Sequence, residues 1–572
     1  MTTANPHPGF ARVAAGALLL AAFVCLTYAA AGCAVLALLR AFVAPSVPPV
    51  TLKLAVFTVA ALAALAAGWP LWRALRNPPD AEAHPVPGGA HAFVGLFAVL
   101  LAVAAVVAPN LEVYPWAAPD ETHHLNVARN LAEHGRYASG LPDEGFSDFD
   151  SYDSVGLPVI GPVAAVMAGL SSSISHARLV MAFYMLLFVC AVYALFVNTF
   201  GHYPALVAAL AAGLGHGSIY LGRTLYGEAP ALAWFCVGLL CWRAALHRSW
   251  HVWGLLAGLC FGLACLTKTI LLLSAFCFLG ALAFDMVGPR RIRLPHLVLP
   301  AVGTLLPLGA WSAVKSIAGT TVTANTGDTL GIYQFYLLPG LGAALNNLGH
   351  AGAHPAMHLA FALGIAAVLP IIFHRRYDPP LVVLFLVGAL YAWWWLAFTP
   401  GQHTRYLWFS QAIAGAFTGA LAGRLAVWAW REHRPMNRAL AALAAVAILA
   451  PWAPWVAQQA REVYTNREMQ QDHDLAAFID ALPPGTRIAT VEAPVRGTLI
   501  FLVERSAKLY EPGDPAAANA DVLITWDEAR IPEEARASRI ERIGRHVVAF
   551  LVNRSDQSDL GPTEGDIRRT PR

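Results

Sequence analysis

The chain has 572 residues, of which 57% are hydrophobic and only 13% charged, with a net charge of +3. A mean hydropathy of +0.54 excludes an ordinary soluble domain, which is nearer half apolar and a quarter charged. The small net charge gives no ground for a nucleic-acid partner.

Apolar runs recur from Ala11 to about Val456, which predicts a polytopic α-helical membrane protein. The first run, about Val13 to Leu39, is too long for a signal-peptide core and lacks a clear cleavage site, so it reads as an anchor. Candidate spans fall at 12–40, 51–75, 91–109, 176–199, 203–220, 229–247, 250–267, 269–286, 296–316, 357–374, 380–398, 407–429 and 438–457, about thirteen in all. One set of loops carries Arg73 and Arg76, Arg243 and Arg248, Arg290, Arg291 and Arg293, Arg375 and Arg376, then Arg431, Arg434 and Arg438. The positive-inside rule makes these loops cytoplasmic. The N-terminus is then expected inside and the C-terminus outside. The opposite face receives 110–175, 221–228, the Lys268 turn, 317–356, 399–406 and everything after about 458. The stretch Val155–Leu170, broken by Gly156, Pro158, Gly161 and Pro162, predicts a re-entrant or surface-lying helix. All eight cysteines lie in or at the edge of apolar segments without a CxxC pair, which favours packed thiols over a disulfide framework or a zinc-thiolate site.

From about Arg461 the composition changes abruptly. Asp474–Leu482 reads as a helix stopped by Pro483-Pro484-Gly485. Arg487–Val491 and Asp521–Trp526 read as short buried strands with a helical Val495–Glu504 between them, and His546–Val552 as a further strand. Residues 461–554 are thus expected to form a small extracytoplasmic α/β domain, and 555–572 a disordered end.

Polar chemistry concentrates on the outer loops. After Pro119, the run Asp120-Glu121-Thr122-His123-His124 opens a helix expected to reach about His134 and to be closed by Gly135. Asp120 is a candidate N-cap, and Glu121 favours the positive helix end. Leu125, Ala128, Leu131 and Ala132 form one stripe and Asn126, Arg129, Asn130 and Glu133 the other, the pattern of a helix lying along the membrane surface. Glu228 begins a span, with Arg223 as its local basic neighbour and a simple Arg–Glu pair as the bland explanation. Lys268 caps a hydrophobic hairpin against the usual charge bias, where snorkelling to headgroups is the alternative. Arg405 and Tyr406 stand at a late helix entrance, where a cation can hold a phosphate or merely anchor the helix at the interface. Lys268, Arg405, Tyr406 and Arg223 form the candidate phosphate-binding set. A transporter would more naturally carry ionisable groups near the midplane, on broken and repeated helices.

In this order the loops resemble the GT-C superfamily of polytopic glycosyltransferases, nearest the bacterial protein-mannosyltransferase-like and aminoarabinose-transferase-like enzymes. The resemblance covers roughly 91–460. It rests on Asp120-Glu121 followed by NVARNLAEHGRY, on Glu228, on GLACLTK (262–268) and on Arg405-Tyr406. Residues 1–90 form an extra transmembrane hairpin outside it. The resemblance implies transfer of a sugar from a polyprenyl-phosphate donor to a lipid, glycan or protein acceptor on the periplasmic face of a bacterial inner membrane. It also implies Asp120, Glu121 and Glu228 as catalytic acids and Lys268 and Arg405 as the basic positions. Chemically, such a transfer needs a base for the acceptor hydroxyl and a cation for the departing phosphate. A divalent ion (Mg, Mn or Zn) held by His123, His124 and Asp150 is compatible with the loop but not required by it. A lipid-linked-glycan flippase, a polysaccharide polymerase or ligase, and a non-catalytic scaffold are the rival readings. A flippase would move lipid-linked sugar without making a glycosidic bond, and a scaffold would tolerate loss of both Asp120 and Glu228.

Overall fold

The computed structural model describes residues 89–551 apart from 143–144, 149–154, 216, 288–291, 318–377, 399–403, 504, 506, 512–513 and 532–536. The expected spans 12–40, 51–75 and 357–374 and the expected disordered end therefore lie outside the described residues.

Helix α1 (Gly89–Val107) is followed by α2 (Pro119–His134), a two-stranded hairpin of β1 (Ala138–Leu141) and β2 (Gly145–Asp148), and α3 (Leu157–Gly169). Long apolar helices come next: α4 (Ile174–Phe200), α5 (His202–Leu214), the single turn α6 (Ser218–Leu221), α7 (Glu228–His247) and α8 (Trp250–Thr267). A 3-10 segment (Thr269–Ser274) leads into α9 (Ala275–Val287), then α10 (Pro295–Ile317) and α11 (Pro379–Phe398). A second 3-10 turn (Thr404–Leu407) opens α12 (Trp408–Arg431), with α13 (Pro435–Leu449) and α14 (Ala453–Thr465) behind it. Among the described residues, six helical segments are long and apolar enough to cross a membrane, and four shorter apolar helices accompany them. At 13 residues α3 is about 20 Å long, too short to span. It instead buries Val159, Ile160 and Val163 in the core.

Two polar layers bracket this bundle. Near the start of α4, Arg178 is wholly buried in an ion pair. Near its end, Thr199 donates to Asp378 at 3.0 Å, and Asp378 also pairs with Arg243. Helical rise puts about 30 Å between the two levels, the thickness of a bilayer's hydrocarbon core. Between them, Phe188, Phe196, Trp408 and Phe417 fill the centre.

Beyond the bundle, α15 (Gln470–Asp480) and α16 (Ala493–Val503) pack on a five-stranded sheet ordered β4-β3-β5-β7-β6. Its strands are β3 (Ile488–Thr490), β4 (Ala507–Leu509), β5 (Val522–Thr525), β6 (Ala537–Ile543) and β7 (His546–Leu551). β3 runs parallel to both β4 and β5, while β7 is antiparallel to β5 and β6. The central strands are apolar on both faces because helices cover one side and loop residues such as Ala517 and Ala520 the other. This unit sits against the loop after α1: the Met469 amide donates to the Val113 carbonyl at 2.9 Å, and the Trp116 amide to Glu468 at 3.0 Å.

Candidate active site

Helix α2 carries the site and is held from both sides. Its N-cap is Ala118, with Pro119 in the first turn, and Gly135 closes it with φ 64°. Asp120 is therefore not the cap; it lies inside the first turn, leaving its carboxylate to reach outward. The polar stripe also departs from expectation, because Asn126, Arg129 and Asn130 are buried rather than wet. The Asn130 amide donates to the Ala138 and Gly140 carbonyls at 2.9 and 3.1 Å, tying the hairpin to the helix. Arg129 donates to the carbonyls of Phe501 and Ile500 at 2.8 and 3.0 Å, satisfying the C-terminal end of α16. Gly497 on α16 lies so near Thr122 that any side chain there would overlap its hydroxyl. A helix expected to lie on a membrane surface is instead clamped between the bundle and the C-terminal unit.

Glu121 is also placed differently from the expectation of a catalytic role. Arg178 grips both its oxygens, Nε donating to Oε1 at 2.9 Å and Nη2 to Oε2 at 2.8 Å, and the Leu225 amide donates to Oε1 at 3.3 Å. Both side chains are fully buried, so the pair fixes α2 to α4 and to the loop before α7 and offers no oxygen to a substrate. Arg223 is likewise structural. Wholly buried, it donates to the carbonyls of Val106, Val107, Pro109 and Tyr114 at 3.2, 3.0, 2.6 and 2.7 Å. The first two close the end of α1 and the others fix the loop after it, while Glu228 pairs with Lys268 instead. Arg178 was missed by the sequence reading, although a lone charge near the start of a 27-residue apolar helix is a signal in itself.

The remaining acids and bases form two ion pairs. Arg405 Nη1 lies 2.6 Å from Asp120 Oδ2, with Asp120 50% and Arg405 25% exposed. The Arg405 guanidinium also sits 5.0 Å over the Tyr226 ring. Deeper, Lys268 Nζ lies 3.2 Å from Glu228 Oε1, with exposures of 4% and 0%. Gly227, at φ 84°, makes the turn that starts α7 at Glu228 beside the end of α8. Lys268 thus neither snorkels nor faces water. The two pairs differ in cost. An exposed pair contributes about 0–1 kcal/mol, whereas removing one partner of a buried pair costs about 3–5 kcal/mol.

Burial pushes the Asp120 carboxyl up, but the charge and hydrogen bond of Arg405, with His124 and Lys268, outweigh it and hold the group below the ordinary 3.8. His124 is pushed down to about 4, first by burial and then by Lys268 and His123, against the raising effects of its Leu225 bond and Asp120. Its Nδ1–H donates to the Leu225 carbonyl at 2.8 Å, which fixes the tautomer. Since the unfolded chain takes up this proton near pH 6.5 and the folded chain only near 4, the native state loses stability as pH falls through that window. Thermal unfolding of the full chain between pH 7 and 4 should show this slope, and His124→Gln should flatten it.

Asp150 lies outside the described residues, as do Gln402 and His403, and the side chain of Tyr406 is not described although its backbone lies in the turn before α12. His123 and His124 stand with ring centroids 6.3 Å apart. Among the described residues no three His, Cys, Asp or Glu side chains cluster closely enough to hold a metal ion. His124 already commits one ring nitrogen to Leu225. The described donor set does not fit a metal.

Residues 158–312 match the family model described as dolichyl-phosphate-mannose-protein mannosyltransferase. ArnT from Cupriavidus metallidurans bound to undecaprenyl phosphate superposes with a TM-score of 0.54 at 16% identity, covering 81% of this chain and 98% of that one. The oligosaccharyltransferase AglB from Archaeoglobus fulgidus, in complex with an inhibitory peptide and a dolichol-phosphate, gives 0.51 at 14%, covering 76% and 69%. The fold is a GT-C fold. A further Archaeoglobus fulgidus oligosaccharyltransferase structure, a complex with Zn and sulfate, gives 0.50 at 14%, covering 81% and 73%. No curated protein sequence matches significantly. The GT-C resemblance read from the loops is therefore met independently by sequence and by shape.

Proposed function

We propose that this chain is a membrane glycosyltransferase that moves a sugar from a polyprenyl-phosphate donor to an acceptor hydroxyl, with Asp120 as base and Arg405 as the phosphate-binding cation. The observation that carries this reading is the Asp120–Arg405 pair, a carboxylate and a guanidinium both open to solvent beside a second, buried acid–base pair. The lipid phosphates carried by the ArnT and AglB structures support the donor class.

In the proposed reaction the acceptor O–H gives its proton to an Asp120 oxygen while its oxygen bonds to the anomeric carbon from the face opposite the phosphate. The bond from that carbon to the phosphate oxygen breaks, and the electron pair leaves on polyprenyl phosphate, where Arg405 meets the developing charge. One displacement inverts the anomeric centre. The buried Lys268–Glu228 pair lies beneath the site, and the Lys268 charge helps keep Asp120 ionised. The positive-inside reading places the reaction on the periplasmic side of a bacterial inner membrane, with the C-terminal α/β unit also outside and residues 1–90 as an additional hairpin.

Membranes containing the full chain, incubated with radiolabelled polyprenyl-phosphate sugars, should carry label into lipid, glycan or protein, and the labelled fraction names the acceptor. Movement of the intact lipid across vesicles without a new glycosidic bond would replace this reading with the flippase.

A further inference from the structure

Asp120, Glu228, Lys268 and Arg405 sum to zero formal charge, and each is already engaged. Among these four groups, an arriving phosphate gains a cation only by taking it from an acid. The two pairs are unequal in this respect. Lys268 is almost wholly buried, and neither Glu228 oxygen accepts a conventional hydrogen bond among the described residues. Moving Lys268 away would leave a bare carboxylate in a dry site. Asp120, by contrast, is half exposed and can be hydrated when released, and Arg405 comes from a short turn at the entrance of α12. A guanidinium also suits phosphate through its fork of donors, and Tyr226 supports its flat face.

We propose that Arg405 changes partners during the reaction: without ligand it holds Asp120, and the phosphate of the incoming lipid takes it away, so that Asp120 becomes a base only once the donor is bound. This rests on the lipid-phosphate reading above. The groups facing Asp120 are Arg405, His124 on its own helix with His123 beside it, and Lys268, whose charge Glu228 offsets. Losing an adjacent cation raises a carboxyl's pKa by about 1 to 3. The phosphate's own negative charge acts in the same direction. The carboxylate is thereby blocked by its ion pair until there is a sugar to transfer. Donor then binds before acceptor.

The exchange predicts proton uptake linked to lipid binding. Isothermal titration calorimetry of the full chain with a short-chain polyprenyl phosphate lacking sugar, at about pH 5 in buffers of different ionisation enthalpy, reads it directly. The native protein should take up a measurable fraction of a proton more than Asp120→Asn. Arg405→Gln, in which the pair is already broken, should bind about tenfold or more weakly and without that extra uptake. Tight binding with equal proton counts in native protein and Asp120→Asn overturns the exchange while leaving the lipid-phosphate reading intact. Persistence of the extra uptake in Arg405→Gln also overturns it. Absence of any binding by the native protein removes the lipid-phosphate reading, and the exchange with it.

Discussion

Asp120→Asn is expected to lower kcat for sugar transfer by about 10²–10⁴-fold, the usual contribution of a positioned general base. The asparagine is nearly isosteric and cannot take the acceptor's proton. Because it also frees Arg405 from its 2.6 Å ion pair, binding of the lipid phosphate should be unchanged or tighter, so the loss belongs to kcat and not to KM. Stability should barely move, since an exposed pair contributes about 0–1 kcal/mol. Purified enzyme assayed with a polyprenyl-phosphate sugar, alongside thermal unfolding, separates these quantities. Near-native turnover by the variant would rule out Asp120 as the base.

The second large effect is expected at Arg178. Arg178→Leu strips the partner from a carboxylate that is fully buried, which should cost about 3–5 kcal/mol. It also releases α2 from α4, so activity should fall with stability. The double variant Arg178→Leu, Glu121→Leu removes both charges and should recover a large part of the lost stability, because an apolar pair of similar volume is often no worse than a buried ion pair. Unfolding midpoints and yields of folded protein in detergent measure both. A double variant as unstable as the single one would show that the pair does more than neutralise itself, for example by presenting Glu121 Oε1 to the Leu225 amide.

What was legible in the sequence was local. The presence of α2 and its end at Gly135, the turn after α15, and the strands within Arg487–Val491 and Asp521–Trp526 all follow from short-range rules of glycine, proline and apolar runs, whereas the cap of α2 proved to be Ala118 and not Asp120. The residues later found together at the site were also legible as a set. Their pairing was not. Arg223 and Glu228 are near neighbours in sequence yet take different partners, Arg223 the carbonyls ending α1 and Glu228 the lysine just after α8. Arg405 meets Asp120 across 285 positions. Amphipathic spacing divided α2 into an apolar and a polar stripe but could not say what covers either, and both proved largely buried. A buried polar stripe and a wet one look alike until the covering element, α16, is in place.

That cover arrives late. Arg129 on α2 is bonded to the carbonyl of Phe501, 372 residues further along the chain. At a synthesis rate of about 5–20 residues per second, roughly 20–75 s separate the two on the ribosome. Through that interval the buried polar stripe of α2 has no partner in α16, and the helix bearing Asp120 has only its bundle contacts. The site is therefore finished only once α16 has been made, and a chain released before α16 carries its acids and bases without the brace that aligns them.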